Sequence, residues 1–443
     1  MMPWELEEFT LMRPLQKSDR DRFTLHSQHI KRFFFSVDAA SWQFFQQLAP
    51  HFPSTPILPN LAFAMVHIVD PPQPDLELAR LFLSLTVTEL EFQVDLDAEE
   101  EPSGYQWILE PLAGEMKLPN LTSFRISAGY TLVTDAGPNV SRILQSHQGI
   151  EKLEIVLSRS HTVLEILRSA AELPHLRRFK MNHPDGEAAQ REPKILSLPL
   201  DGLFPSLESL ELSSAPDCLS SILGRVSSKN VRNIRLTMIG QGPPEVFEEF
   251  EAAGDTSIAD CFRTIRGFVH LKALEVALRV RTTWDTFQCL LGCKELEALK
   301  ILGGCGYDIK LEESHLEQMG RAWRDLKTLY LHPTSFTNQE MCLTFAHLQV
   351  IATEFPNLRK LVIACDARVA SNTGFSVDRA VAAQNSLQEL DVNESLIDER
   401  GEKVVGRLLA VWWPNLVEVT WASGANWAWR WAAVYGNYRS NIS

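Results

Sequence analysis

The sequence predicts an α/β solenoid, in which short parallel strands alternate with helices along one elongated domain, and three observations predict it. The first is a four-residue phrase, apolar-Pro-polar-Leu, that occurs six times: at Leu58-Pro59-Asn60-Leu61, Leu118-Pro119-Asn120-Leu121, Leu173-Pro174-His175-Leu176, Phe204-Pro205-Ser206-Leu207, Phe355-Pro356-Asn357-Leu358 and Trp413-Pro414-Asn415-Leu416. Pro is excluded from helix interiors and biases the preceding residue toward extended backbone, so each phrase marks a helix ending and a strand beginning. The second is the stretch that each phrase opens, Leu-x-x-apolar-x-apolar. Aligning on its first residue adds Ile30, Val87, Ile150, Val231, Leu271, Leu296, Leu326 and Leu387, which makes fourteen anchors. Thirteen gaps span the 386 residues from Ile30 to Leu416, a mean of about 29.7 residues, long enough for a strand and a full helix per unit. The third is alternation: in Leu207-Glu208-Ser209-Leu210-Glu211-Leu212, Leu210 and Leu212 point one way while Ser209 and Glu211 point the other.

Taken in order, residues 1–29 read as an N-terminal cap or linker, with His26 and His29 as surface histidines, and residues 30–424 as the repeats. The seventh unit shows the plan: after its strand, Asp217 is an expected N-cap and Leu219, Ile222, Leu223 and Val226 follow at helical spacing. The longest gap between anchors, 40 residues from Val231 to Leu271, contains the acidic stretch 245–260, expected as a solvated loop insertion. Before Leu296, Cys289 and Cys293 are expected as buried thiols on one helical face. Thr337-x-x-Glu340 reads as a capping box ahead of a helix that carries Leu343, Leu348 and Ile351. Residues 425–443 form an aromatic C-terminal segment. Six of the eleven tryptophans lie in the last 32 residues, and they read either as a cap over the open face of the terminal repeat or as an exposed patch of Trp427, Trp429 and Trp431 that anchors a partner.

No unit can bury its apolar face alone, and stacking fourteen of them makes one continuous core. This is leucine-rich-repeat architecture, a horseshoe with parallel strands on the concave face and helices on the convex face. The consensus places Asn or Cys three residues after the last apolar strand position, where it ties neighbouring loops. Here that slot holds Ala215, Gly304, Thr334, Asp366, Ser395 and Gly424, so no regular ladder of loop-tying side chains is expected there.

Composition narrows the function. The chain has 443 residues and a formal net charge of −14, which argues against general affinity for nucleic acid or acidic membranes. No stretch approaches the ~18 apolar residues of a membrane helix, and Met1 to Arg20 has no signal-peptide core, so a cytoplasmic or nuclear location is expected. Seven scattered Cys do not make a secreted disulfide framework. There is no phosphate-cradling Gly-x-x-x-x-Gly-Lys, no Gly-x-Ser-x-Gly elbow and no His-Glu-x-x-His helix, and Gly303-Gly304-Cys305-Gly306 reads as a simple turn. No catalytic residue, metal or cofactor is expected.

In such a fold, function falls on the outward strand positions. The middle repeats offer Arg125, Lys152, Arg178, Lys180, Asn182 and Arg235 there, a basic centre suited to an acidic or phosphorylated protein partner, interrupted by Glu154 and Glu211. The rival reading is an ordinary mixed-charge surface.

The segment Met12-Arg13-Pro14-Leu15, Asp19-Arg20-Asp21-Arg22-Phe23 and His29-Ile30-Lys31-Arg32-Phe33 resembles the stretch after the F-box in F-box/leucine-rich-repeat proteins of mushroom-forming (basidiomycete) fungi, and the Phe-Pro-x-Leu and Leu-Pro-x-Leu openings are similar too. The resemblance implies a non-catalytic substrate-recognition subunit of an SCF-type ubiquitin ligase. The Leu-Pro-x-Glu-(Leu/Ile) opening of an F-box does not occur before Ile30, so Skp1 and cullin are expected as partners only if a docking segment exists. The alternative is a leucine-rich-repeat scaffold or regulator unrelated to ubiquitination.

Overall fold

The computed structural model describes residues 15–37, 46–52, 56–68, 83–94, 106–114, 116–128, 136–156, 163–182, 202–239, 251–278, 283–303, 311–333, 343–368, 384–422 and 427–442. The chain forms two compact units, one of residues 1–214 with 225–228 and the other of 215–224 with 229–443.

The first unit holds β1 (Arg32–Val37), β2 (Phe63–Ile68), β3 (Glu89–Val94), β4 (Ser123–Ala128), β5 (Lys152–Val156), β6 (Arg178–Asn182) and β7 (Ser209–Ser214). The second holds β8 (Asn233–Met238), β9 (Ala273–Leu278), β10 (Ala298–Gly303), β11 (Thr328–Pro333), β12 (Lys360–Ile363), β13 (Glu389–Asp391) and β14 (Glu418–Thr420). All are parallel and follow one another in sequence order. Each begins two residues after its anchor, and the pairings within each unit join equal offsets from successive anchors, such as Glu89 with Ser123 and Leu329 with Leu361. A one-residue slip would turn every inward side chain outward, and the alternating burial shows why that does not happen: Leu90 and Phe92, or Leu274 and Val276, are buried while Glu91 and Glu275 stand on the other face.

Helices return the chain between strands, as a parallel sheet requires. In the first unit they are α1 (Lys17–Ser27), α2 (Gln106–Gly114), α3 (Ala136–Ser146) and α4 (Val163–Ala171); in the second, α5 (Pro216–Leu223), α6 (Glu251–Ile265), α7 (Trp284–Phe287), α8 (Glu313–Ala322), α9 (Phe345–Glu354), α10 (Glu399–Trp412) and α11 (Ala428–Ile442). Successive helices pack side by side, α2 on α3 on α4 and α8 on α9. Their inner residues, such as Val140, Ile143, Leu316 and Ile351, close the core over the strands. This is the α/β leucine-rich-repeat solenoid the sequence predicts.

Local details differ from expectation. The cap of α5 is Ala215, with Pro216 at the first helical position, so Asp217 lies inside the first turn, where its charge favours the helix dipole. The box at Thr337 and Glu340 lies outside the described residues; α9 starts at Phe345, and Thr344 caps it with His347 as the reciprocal partner. The acidic stretch is helical from Glu251 onward rather than a loop throughout. Cys289 and Cys293 do not share an α-helical face, because Gln288–Gly292 is a 3₁₀ turn that leaves Cys289 partly exposed while Cys293 is buried. His26 lies in the last turn of α1 and His29 beyond it.

The loops are tied, but mostly at the other end of the repeat from the consensus slot. In many of the repeats the polar residue just before the anchor donates to the carbonyl two residues before the preceding anchor. Asn60 reaches Gln28 (3.0 Å), Asn120 Leu85 (2.8 Å), Ser206 Pro174 (2.6 Å), Asn357 Arg324 (2.9 Å) and Asn415 Asn385 (3.1 Å), while Thr86 does the same to Pro59 (3.0 Å). The Asn and Ser of the apolar-Pro-polar-Leu phrase are therefore the loop ties. Of the consensus positions, Ser395 does tie a neighbour, accepting from the Cys365 N–H at 2.8 Å, whereas Ala215 is buried without a polar side chain. Gly304, Thr334 and Gly424 lie outside the described residues.

Candidate functional site

Each strand sends its first, third and fifth residues to the face opposite the core, and parallel in-register pairing lines these up into rows that cross the strands. The middle row of the first unit reads Glu91, Arg125, Glu154, Lys180, Glu211 from β3 to β7. The signs alternate, and each neighbour is an ion pair: Arg125 with Glu91 (3.2 Å) and Glu154 (3.5 Å), Lys180 with Glu154 (3.1 Å) and Glu211 (3.4 Å). Glu154 is buried by its two cations, at 8% exposure. In the second unit Arg235 donates to Glu275 (2.7 Å), Glu275 also pairs with Lys300 (3.5 Å), and Lys300 stands over the Tyr330 ring at 5.1 Å. A neighbouring row repeats the device: Glu297 accepts from Lys272 (2.7 Å) and Lys327 (2.6 Å), and these two hydrogen bonds hold its carboxyl down to about 2.

The expected basic centre thus divides into two kinds of residue. Arg125, Lys180 and Arg235 are partners in charge ladders, and their positive charge is met within the sheet. Lys152 and Arg178 occupy the row below. They are adjacent in register, flanked by Ser123 on β4 and Ser209 on β7, and both are exposed. Neither side chain has a partner among the described residues. Like charges placed opposite each other on neighbouring strands cost stability, so this pair is an unpaid electrostatic position on an otherwise compensated face. Asn182, at the other end of β6, is half-exposed with its amide open.

Sequence reasoning found the cations and missed their pairing. The signal was available in the third strand positions read across repeats rather than along each one.

The aromatic patch is also divided. Trp431 is buried, its indole N–H donating to the Ser395 carbonyl at 2.9 Å, so it belongs to the core and not to a surface. Trp427 is half-buried. Trp429 is exposed, with the Arg430 guanidinium 4.1 Å from its ring centre and Arg430 itself paired to Glu402 of α10 (2.6 Å).

Among the described residues no group of three or more His, Cys, Asp or Glu is arranged to hold a metal ion, and no helix is long and apolar enough to cross a membrane. The described cysteines are free thiols, and burial pushes those of Cys261 and Cys365 up to about 12.

No protein-family model matches the chain, and no curated protein matches it. Among solved structures it is similar to that of the Rad7 and Elc1 complex in yeast, at 15% identity over 93% of this chain and 89% of that one with a TM-score of 0.42. It is also similar to the leucine-rich-repeat-containing protein LegL7 from Legionella pneumophila, at 14% identity over 68% of this chain and 90% of that one with a TM-score of 0.35.

Proposed function

We propose that the chain is a non-catalytic protein-interaction module that binds its partner on the outward strand face of the first unit, at Lys152 and Arg178. The observation that carries this reading is the exposed, uncompensated pair of cations in a surface whose adjacent Arg125 and Lys180 are already paired with acids. A carboxylate or phosphoryl group from an acidic or phosphorylated partner would relieve the repulsion of the two cations, and Arg178 can grip it with two N–H groups. Asn182 offers an amide on the same face at the far end of the same strand. Arg125, Lys180 and Arg235 hold the face in shape rather than meeting the partner's charge.

The resemblance to fungal F-box/leucine-rich-repeat proteins makes the partner a protein selected for ubiquitination. The Rad7 structure, solved as a complex with Elc1, is in keeping with a protein partner.

The test is affinity capture with the tagged chain from a fungal extract, followed by binding measurements with the purified partner. A Lys152→Glu and Arg178→Glu double variant keeps the wild-type melt and weakens binding at least tenfold; a partner bound equally by both proteins refutes the site. Skp1 and a cullin in the captured material support the ubiquitin-receptor reading. Partners without them support a free-standing scaffold.

A further inference from the structure

We infer that Arg32, Phe34, Phe63 and Met65, on the outward face of β1 and β2, receive a large apolar side chain from the same partner segment that brings an acidic group to Lys152 and Arg178. The inference rests on the reading of Lys152 and Arg178 as the acid site, and adds to it a second point of contact and a spacing. It starts from a break in the pattern of the face. From β3 to β7 the middle outward row is charged, but the same row begins with Phe34 on β1 and Met65 on β2, joined in register. Phe34 is 60% exposed and, among the described residues, is the one large apolar side chain that stands exposed on a strand.

The cluster is held by its own contacts. Arg32 and Phe34 leave β1 on the same face, Phe63 lies opposite Arg32, and the Phe34 and Phe63 rings stand 5.2 Å apart between centres with their planes tilted by 52°. The Arg32 guanidinium is 4.6 Å from the Phe63 ring centre and 6.0 Å from that of Phe34. Stacking on a ring orients the guanidinium and leaves its N–H edge for an acceptor, and Arg32 has no acid partner among the described residues. A lone exposed phenylalanine needs no explanation. Three apolar side chains in adjoining positions beside a ring-stacked arginine make an anchor of the kind that dominates binding surfaces.

Register fixes the distance from this anchor to the acid site. The first outward row runs Arg32, Phe63, Glu89, Ser123, Lys152 and Arg178 from β1 to β6. Phe63 and Lys152 are separated by three strand spacings of ~4.8 Å, about 14 Å in all, which an extended chain covers in about four residues. Between them stands Glu89, exposed and without a partner among the described residues. It repels a second acidic group and attracts a basic one, so the row selects apolar, basic and acidic side chains in that spatial order rather than a run of acids. Ser123 fills the remaining place with a small uncharged side chain.

A phage-displayed library of random peptides, selected on the full chain, tests the inference. Enriched peptides are expected to carry a large apolar residue about four positions from Asp or Glu, with Lys or Arg between them. Selection on Phe34→Ser is expected to keep the acidic preference and lose the apolar one, and the leading wild-type peptide should bind that variant about fivefold more weakly. Acidic peptides without an apolar residue at fixed spacing, or an apolar preference that survives Phe34→Ser, overturn the inference and leave Lys152 and Arg178 standing as the acid site. Peptides with no acidic preference, or no enrichment at all, overturn both. Should Phe34→Ser not fold, Glu89→Lys decides: it is expected to exchange the basic residue between the two anchors for an acidic one, and an unchanged choice there overturns the inference.

Discussion

His147 shows how much one buried side chain can be committed. Its Nε2 accepts the Leu118 N–H at 3.0 Å, and its Nδ1–H donates to the Ile143 carbonyl at 2.8 Å, so the ring links two repeats only as a neutral imidazole. A second proton would put an N–H against an N–H. Burial accordingly lowers its pKa, and His347 is lowered for the same reason, with Nδ1 accepting from Thr344 and Nε2–H donating to Leu311 at 2.9 Å. A folded-state pKa below the unfolded value of about 6.5 means that these rings contribute fully above that pH, and that the contribution is lost progressively as pH falls below it, because the unfolded chain then binds more protons. The melting temperature should therefore drop on acidification below about pH 6.5. His147→Gln should melt lower at neutral pH but with a shallower acid slope; an unchanged slope would show that the ring does not govern acid sensitivity.

At the level of the element, the strand starts were legible because Pro and the following polar residue and Leu are all required by local geometry: the proline ends a helix, the leucine enters the core, and the residue between them ties the loop. All fourteen strands begin two residues after their anchors. The purpose of that middle residue was not legible, since its partner is a carbonyl one repeat away, and a carbonyl leaves no mark in the sequence. Helix starts were less legible, as at Asp217, because Pro216 sets the first turn one residue earlier and the cap falls to Ala215. The ties can be ranked by burial. Asn357→Ala frees a carbonyl to water and should cost about 0.5–1 kcal/mol, whereas Gln384→Ala takes the side-chain donor from the buried Leu358 carbonyl, while Phe355 keeps the Leu358 N–H, and should cost about 1–3 kcal/mol. Chemical denaturation of the two variants checks the order, and equal losses would contradict it.

At the scale of the whole molecule, repeats that contact chiefly their neighbours make stability a chain of local terms. Leu210 is 1% exposed on β7, and Leu210→Asp buries an unpaired charge. Hydrogen exchange should show protection lost in β6 and β7 and retained in β11 to β14; uniform loss would mean that the two compact units unfold as one. The charge ladder from Glu91 to Glu211 acts over a comparable span, and it bears on how the protein can change over generations. Its interior acid, Glu154, serves two bases on separate strands, so a lone reversal there would set three cations in a row, from positions 125, 154 and 180 of the chain. The ladder's signs are therefore inherited as a set: drift can erode the free cations at Lys152 and Arg178 one at a time, but it can rewrite the ladder only through paired substitutions in distant codons.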